Sequence, residues 1–141
     1  MQRAILSVTL ALAFGQATSQ PYAGTWTAEL AGQTYVRLEL KVTNGVLGGQ
    51  ISLGDIEVDP GGEVKTALAA PNEFTPLLDV VLRDAMLSFS RKDGHETDHF
   101  ELRLVDNHAE LRFIPSDADR AELAAMGIQV PKPIRLTRIA R

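Results

Sequence analysis

The sequence predicts an all-β fold, namely an eight-stranded antiparallel meander β-barrel with one short helix before the last strand. Most of the chain after residue 19 alternates between apolar and polar residues, which is the period of a strand with one buried face. Turn signals interrupt this alternation at short intervals. The strand number is even, so the last strand can lie beside the first and remove both sheet edges.

The first 19 residues have the layout of a secretory signal. Arg3 gives a positive start, residues 4–15 form an apolar stretch, and Ala17-Thr18-Ser19 supplies small residues for cleavage. The apolar stretch is too short to span a bilayer, which takes roughly 20 residues. We therefore expect a signal peptide at residues 1–19, a single domain at residues 20–141, and a secreted or periplasmic location.

Composition narrows the classes of partner. The formal net charge of −4 becomes −5 when Arg3 is removed, and no basic patch is present to hold a phosphate backbone, so nucleic acid is not expected. After signal cleavage no second long apolar run remains, so the mature chain is not expected to span a membrane. The chain has no cysteine, hence no disulfide, and a domain of about 122 residues must rely on its core.

The first three strands are predicted at residues 24–30, 34–43 and 46–54. The loop Ala31-Gly32-Gln33 joins the first two, and Asn44-Gly45 is a strong signal for a two-residue hairpin turn. Folding there places apolar residues on one face, where the pairs are Val42 with Leu47, Leu40 with Gly49, Leu38 with Ile51, and Val36 with Leu53. A slip of one residue would mix the two faces, so the register is well specified.

Two further hairpins are predicted, formed by residues 77–83 with 86–92 and by residues 98–105 with 108–114. A turn at Asp84-Ala85 and another at Asp106-Asn107 again bring apolar residues opposite each other. The expected pairs are Leu82 with Leu87, Val80 with Phe89, Phe100 with Phe113, Leu102 with Leu111, and Leu104 with Ala109. These four strands extend the same inward apolar face.

A helix is predicted over residues 116–127, followed by the last strand at residues 134–140. Ser116 can cap the helix, with Asp119 three residues later, and Gly127 can end it. Residues 54–76 are not placed by the pattern. Three alternatives stay open for them: an extension of the third strand, a short extra strand, or a segment folded over the barrel mouth.

The stretch Gly94-His95-Glu96-Thr97-Asp98-His99-Phe100 contains H-E-x-x-H, the zinc signature of many metalloproteases. That motif requires a helix, whereas the residues after His99 alternate as a strand. On a strand, residues four apart are separated by roughly 13 Å, too far to share one ion. We expect a solvated turn and strand start, with His95, Glu96 and Asp98 near its outer end. A zinc hydrolase with Glu122 as third ligand is a minor alternative, as is adventitious metal binding by His99 and His108.

No other motif announces a reaction. The sequence has no G-x-S-x-G and no cysteine nucleophile, and its carboxylates fall on alternating outward positions. We therefore expect no enzyme, with no catalytic residue, metal site or cofactor.

Closure of the barrel places the last strand beside the first. The start of the first strand lies level with the end of the last, so Trp26 and Arg138 are expected to meet. Arg138 shares a face with Ile134 and Leu136, so its guanidinium can stack on the indole and close that end. The alternative is that Arg138 reaches out to solvent.

Gly24-Thr25-Trp26 resembles the G-x-W of lipocalins and the wider calycin group. The helix before the last strand and the late arginine are also lipocalin-like. Residues 23–55 and the closing segment Ile134–Arg138 are similar to a small exported bacterial β-barrel domain, which occurs alone or ahead of secreted hydrolase domains. The longer middle segment and the helix depart from that pattern.

Two functional hypotheses remain. The first is an exported non-enzymatic binding module that holds a hydrophobic small molecule or lipid inside the barrel. The second is a solid-core barrel whose loops bind a protein partner, as an interaction or inhibitor module. For the first hypothesis, the expected ligand-lining residues are Trp26, Leu38, Leu40, Ile51, Val80, Phe89, Phe100, Leu102, Phe113 and Arg138.

Overall fold

Strands dominate the described chain. The computed structural model describes residues 19–139, so the predicted signal peptide lies almost wholly outside the described residues. A 3-10 turn at Gln20–Tyr22 precedes β1 (Gly24–Leu30), β2 (Gln33–Thr43), β3 (Val46–Leu53), β4 (Ile56–Val58), β5 (Val64–Ala67), β6 (Thr75–Pro76), β7 (Leu78–Arg83), β8 (Met86–Asp93), β9 (Glu96–Val105), β10 (His108–Phe113), α1 (Asp117–Ala125) and β11 (Ile134–Arg138). No helix among residues 19–139 is both long and apolar enough to cross a membrane.

The main sheet is a nearly closed barrel. Its antiparallel strand order is β6-β3-β2-β1-β11-β10-β9-β8-β7, with β11 beside β1. The two end strands, β6 and β7, are separated in the chain by Leu77 alone, whose N–H donates to the carbonyl of Gly49 on β3. The chain itself therefore links the two ends of the sheet. The predicted all-β barrel, with its last strand beside its first, is confirmed.

The predicted hairpin registers are confirmed in most positions. Leu38 pairs with Ile51, Leu82 with Leu87, and Phe100 with Phe113. The turn residues Asn44 and Gly45 have φ of 53° and 77°, as a tight hairpin requires. The predicted pair of Val80 with Phe89 falls instead in an irregularity of the β7–β8 ladder between Leu78 and Val81. Asp79, with φ of 51°, lies in this irregularity, which shifts the register by one residue.

The segment that the sequence left unplaced forms a separate hairpin, β4 with β5, and then returns to the barrel. After β5 the chain runs along the outside of β2 and β3, where Ala70 N–H donates to Thr34 O and Ser52 Oγ donates to Pro71 O at 2.6 Å. Gly54 permits this close approach, because a Cβ there would lie 1.9 Å from the carbonyl oxygen of Leu68. The predicted fourth strand, residues 77–83, corresponds to β7, and the two residues of β6 belong to the segment that the sequence left unplaced.

The inward faces pack into one apolar core. Six side chains at its centre are 0% exposed: Leu38, Ile51, Leu87, Leu102, Leu111 and Leu136. A row of rings crosses the core nearer one end, with Phe89 and Phe100 at 5.3 Å and Phe100 and Phe113 at 5.1 Å between centroids. A void large enough for a water molecule would expose the side chains that line it. The zero exposure therefore means that these six residues adjoin no such void.

One end of the barrel is closed by the 3-10 turn and by Arg138. The Arg138 guanidinium lies 4.5 Å from the centroid of the Trp26 ring, which is its ladder partner, and donates to Pro21 O. Trp26 Nε1 donates to Tyr22 O at 3.0 Å, and Tyr22 Oη donates to Ala85 O at 2.7 Å. The predicted meeting of Trp26 and Arg138 is confirmed. Arg138 remains solvent-exposed while it stacks on the buried indole.

The helix α1 lies on the surface near the opposite end, which we call the barrel mouth. As predicted, Ser116 caps it, because its Oγ accepts from the Asp119 N–H at 3.1 Å. After Gly127 the chain is attached to the β4–β5 hairpin, where Gln129 N–H donates to Pro60 O. Helix and hairpin thus stand together beside the mouth.

Candidate binding site at the barrel mouth

The H-E-x-x-H motif lies on a turn and a strand. His95 precedes β9 in an exposed turn and His99 is an exposed residue within β9. The strand geometry that the sequence predicted is confirmed. Because a strand is extended, the His95 and His99 imidazoles are separated along the chain and do not lie one helical turn apart. Among residues 19–139, no group of three or more histidine, aspartate and glutamate side chains is placed to hold a metal ion.

The ten predicted lining residues separate into three groups. Most are buried in the packed core, namely Trp26, Leu38, Leu40, Ile51, Phe89, Phe100 and Leu102. Val80 and Phe113 are half-buried at its border, and Arg138 is exposed over Trp26. Of the ten, Phe113 is the residue that also lines the open space at the mouth. Of the ten predicted residues, Phe113 is therefore the one that a ligand at the mouth would contact directly.

A pocket of about 230 Å³ opens at the mouth, above the aromatic row. Its apolar wall includes residues from three barrel strands and from the β4–β5 hairpin, namely Leu53, Phe113, Ile134 and Ile56. Tyr35 also lines it, and burial raises the pKa of the Tyr35 phenol above its ordinary value, so the hydroxyl is neutral at physiological pH. The pocket thus presents apolar and polar surface in similar amounts, open to water.

An ion pair faces inward at the edge of this pocket. Arg91 Nε lies 3.1 Å from Asp98 Oδ2, and Arg91 and Asp98 are ladder partners on β8 and β9. The Arg91 side chain is 16% exposed and that of Asp98 is 35% exposed, while Asp93 Oδ2 is 3.8 Å from the same guanidinium. Charges at this partly buried depth require partners, and here each has one. Asp98 thus lies on the inner face of the barrel. The sequence had predicted instead that it lies in a solvated strand start.

The inward position of this pair follows from a signal that was present in the sequence. Leu87, Phe89 and Arg91 alternate on one face of β8, and Asp98 precedes Phe100 by two residues on β9. Extending each apolar alternation by one step past its last apolar residue would have found both charges. The prediction stopped where the apolar residues stopped.

A larger groove of about 570 Å³ adjoins the pocket and shares Ile56, Asp98 and Phe113 with it. Its walls are the β4–β5 hairpin, the start of β9, residues 113–116 and α1. Apolar lining comes from Ile56, Val58, Phe113, Ile114, Pro115, Leu123, Met126 and Pro131, and ionisable lining comes from Glu96, Asp98, His99, Asp119 and Glu122. Its size lies within the range of about 300–1,000 Å³ typical of small-molecule sites.

The groove combines apolar surface with carboxylates. Leu123 is the half-buried apolar residue of α1 and it faces the groove beside Glu122, while Met126 is 60% exposed. Such a surface binds by removing apolar area from water and by attracting a complementary charge.

No protein-family model, curated protein or solved structure matches this chain. The lipocalin-like resemblance, carried by Gly24-Thr25-Trp26 and the late arginine, therefore stays a prediction. The function must be argued from the mouth itself.

Proposed function

We propose that this chain is an exported, non-enzymatic binding module of lipocalin-like type that holds a hydrophobic or amphipathic small molecule at the barrel mouth. The observation that carries the proposal is the continuous concave surface formed by the mouth pocket and the adjoining groove, where apolar residues of the barrel, the hairpin and the helix meet. That surface lies above a core whose central side chains adjoin no void. The ligand would rest on the packed barrel instead of entering it.

The apolar residues of the mouth support binding because they are arranged around a concave space. Ile56 from the hairpin and Leu123 from the helix are both half-buried, and each lines the groove. Phe113 provides the floor and packs its ring against Phe100 in the core. Burying such partly exposed side chains against a ligand yields about 25 cal/mol for each Å² of apolar area removed from water.

The packed core also supports a second candidate, an interaction or inhibitor module whose mouth elements bind a protein. The hairpin, the helix and the β8–β9 turn project around one end of the barrel, as loops do on a rigid scaffold. Native mass spectrometry of the protein purified from its own cell envelope separates the two candidates. A co-purifying lipid or small molecule supports the first, and a co-purifying polypeptide supports the second.

The binding of a fluorescent probe to variants of the mouth tests the location of the site. We expect the neutral fluorophore N-phenyl-1-naphthylamine to bind, and we expect Ile56→Ser and Leu123→Ser each to weaken its binding about five- to tenfold, as the loss of about 1 kcal/mol of apolar contact implies. Val46→Ser is the matched control, because Val46 is 68% exposed at the start of β3, at the closed end. Equal weakening by Val46→Ser, or no weakening by the mouth variants, would show that the mouth is not the site.

A further inference from the structure

We infer that the mouth selects amphiphiles that carry a positive charge, such as an alkyl or aromatic amine. This inference rests on the proposed function, since it specifies the ligand class of the same site. It follows from the charges around the apolar residues of the mouth, which come from separate elements of the fold and are negative in all but one case.

Five carboxylates line the pocket and the groove, against one guanidinium. Asp55 follows β3, Glu96 and Asp98 lie on β9, and Asp119 and Glu122 lie on α1. Arg91 lines the pocket and pairs with Asp98, so these two charges largely cancel. Within residues 19–139, the other four carboxylates take part in no ion pair closer than 4.0 Å. The surface around the ligand space is therefore net negative.

Two basic side chains near the groove, Lys132 and Arg120, bind other groups and do not line it. Lys132 Nζ binds Glu63 Oε1 at 3.2 Å on the β4–β5 hairpin, and Arg120 Nε donates to Pro115 O at 3.4 Å from an exposed position on α1. Neither residue lines the pocket or the groove. His99 does line the groove and is exposed there.

Local structure accounts for part of this charge. Asp119 lies in the first turn of α1, where a carboxylate interacts favourably with the helix dipole. That reason does not extend to Glu122 or to Glu96, which lie outside any helix N-terminal turn and face the same space. A concave surface with charges of one sign raises the local concentration of ligands of the opposite sign.

The positions of the two kinds of surface define an orientation for the ligand. In the pocket, Phe113 and Ile134 lie beside Asp55 and the mutually paired Arg91 and Asp98, whereas the unpaired Glu96 and Glu122 line the outer groove. An amphiphile would place its alkyl or aromatic part in the pocket and its ammonium group between these carboxylates. An anionic head group in the same position would meet repulsion.

Three probes with the same alkyl chain test the inference: octyltrimethylammonium, 1-octanol and octyl sulfate, each titrated by calorimetry below its micelle-forming concentration. We expect the ammonium probe to bind about tenfold more tightly than the sulfate, with the alcohol between them. We also expect raising the salt from 0.02 to 0.5 M to weaken the ammonium probe selectively, since salt screens exposed charges.

The double variant Glu96→Gln/Glu122→Gln removes two charges at nearly constant shape. It should weaken octyltrimethylammonium about fivefold, in line with exposed ion pairs, and leave 1-octanol unchanged. The control is Asp84→Asn/Asp106→Asn, which removes the same charge in two turns at the closed end. Both of these residues have positive φ, which asparagine adopts readily. This control should leave all three affinities unchanged.

The outcomes separate this inference from the function on which it rests. Equal or tighter binding of octyl sulfate, or unchanged ammonium binding in the double variant, would overturn the charge preference while leaving the binding module intact. Failure of all three probes to bind would contradict the proposed function itself. Binding of a short basic peptide by a protein that ignores octyltrimethylammonium would also overturn the inference, in favour of a protein partner.

Discussion

Replacing Leu102 by alanine tests whether the barrel interior is solid. Leu102 is 0% exposed and has Leu87 and Leu111 as its ladder partners on the two neighbouring strands. The change removes about three methylene equivalents, worth roughly 0.8 kcal/mol each in transfer free energy. The cavity left in a close-packed core adds to this loss, and buried Leu→Ala changes together cost about 2–5 kcal/mol. We expect Leu102→Ala to lower the free energy of unfolding by about 3 kcal/mol.

Urea titration followed by tryptophan fluorescence measures this loss, because Trp26 is the chain's single tryptophan and is 2% exposed. For a domain of this size, the expected loss corresponds to a melting temperature lower by about 10 °C. Val46→Ala is the control, since Val46 is 68% exposed, and it should change stability by less than about 0.5 kcal/mol. A loss below about 1 kcal/mol for Leu102→Ala would mean that this side chain already borders a void, and the reasoning would be refuted.

Three further predictions concern the backbone, the closed end and alkaline pH. Gly49→Ala should destabilise the protein by at least about 2 kcal/mol in urea titration, because the new Cβ would lie 1.8 Å from the Glu39 carbonyl oxygen. Gly48→Ala is the control and should have little effect, because nothing lies within 4 Å of its Cβ. Equal losses of stability in the two variants would contradict this steric explanation. Arg138→Ala should lower the free energy of unfolding by about 1 kcal/mol and shift the Trp26 fluorescence emission to longer wavelength, since the guanidinium no longer covers the indole. An unchanged emission spectrum would show that the stacking does not shield the ring from water. Burial raises the folded-state pKa of Tyr22, with a smaller opposing effect of Arg103. The stability that the neutral Tyr22 phenol contributes is therefore complete below about pH 10 and is lost as the pH rises through the raised pKa. Tyr22→Phe should make this alkaline loss of stability less steep, and an equally steep loss in the variant would show that Tyr22 does not cause it.

The hairpins could be predicted from the sequence because their information is local. Asn44-Gly45 fixes a turn, and the alternation on both sides then allows one register that keeps the apolar residues together. The meeting of Trp26 with Arg138 followed from closure of the strands so defined. The cap of α1 at Ser116 was readable for the same reason, since it depends on residues only three positions apart.

The mouth could not be predicted in the same way, because it depends on contacts between distant segments. The β4–β5 hairpin is short, and it is fixed by bonds such as that from Lys132 N–H to Gly62 O, across about half of the chain. No local pattern in residues 54–76 specifies such a partner. Nor does a helix with no fully buried residue reveal which of its faces will border a groove.

The inner charges were missed for a different reason. Arg91 and Asp98 sit at inward positions of their strands, but polar residues at strand ends ordinarily lie in water. Their inward placement is energetically acceptable because the two side chains pair with each other across the β8–β9 ladder.

Methyl-resolved NMR during titration with octyltrimethylammonium tests most directly whether ligands bind on the mouth of a solid barrel. The account predicts shifts at the methyl groups of Ile56, Leu123 and Ile134, with those of Leu38 and Leu111 unchanged. Shifts concentrated at Leu38 and Leu111, with Ile56 and Leu123 unaffected, would place the ligand inside the barrel and contradict the account.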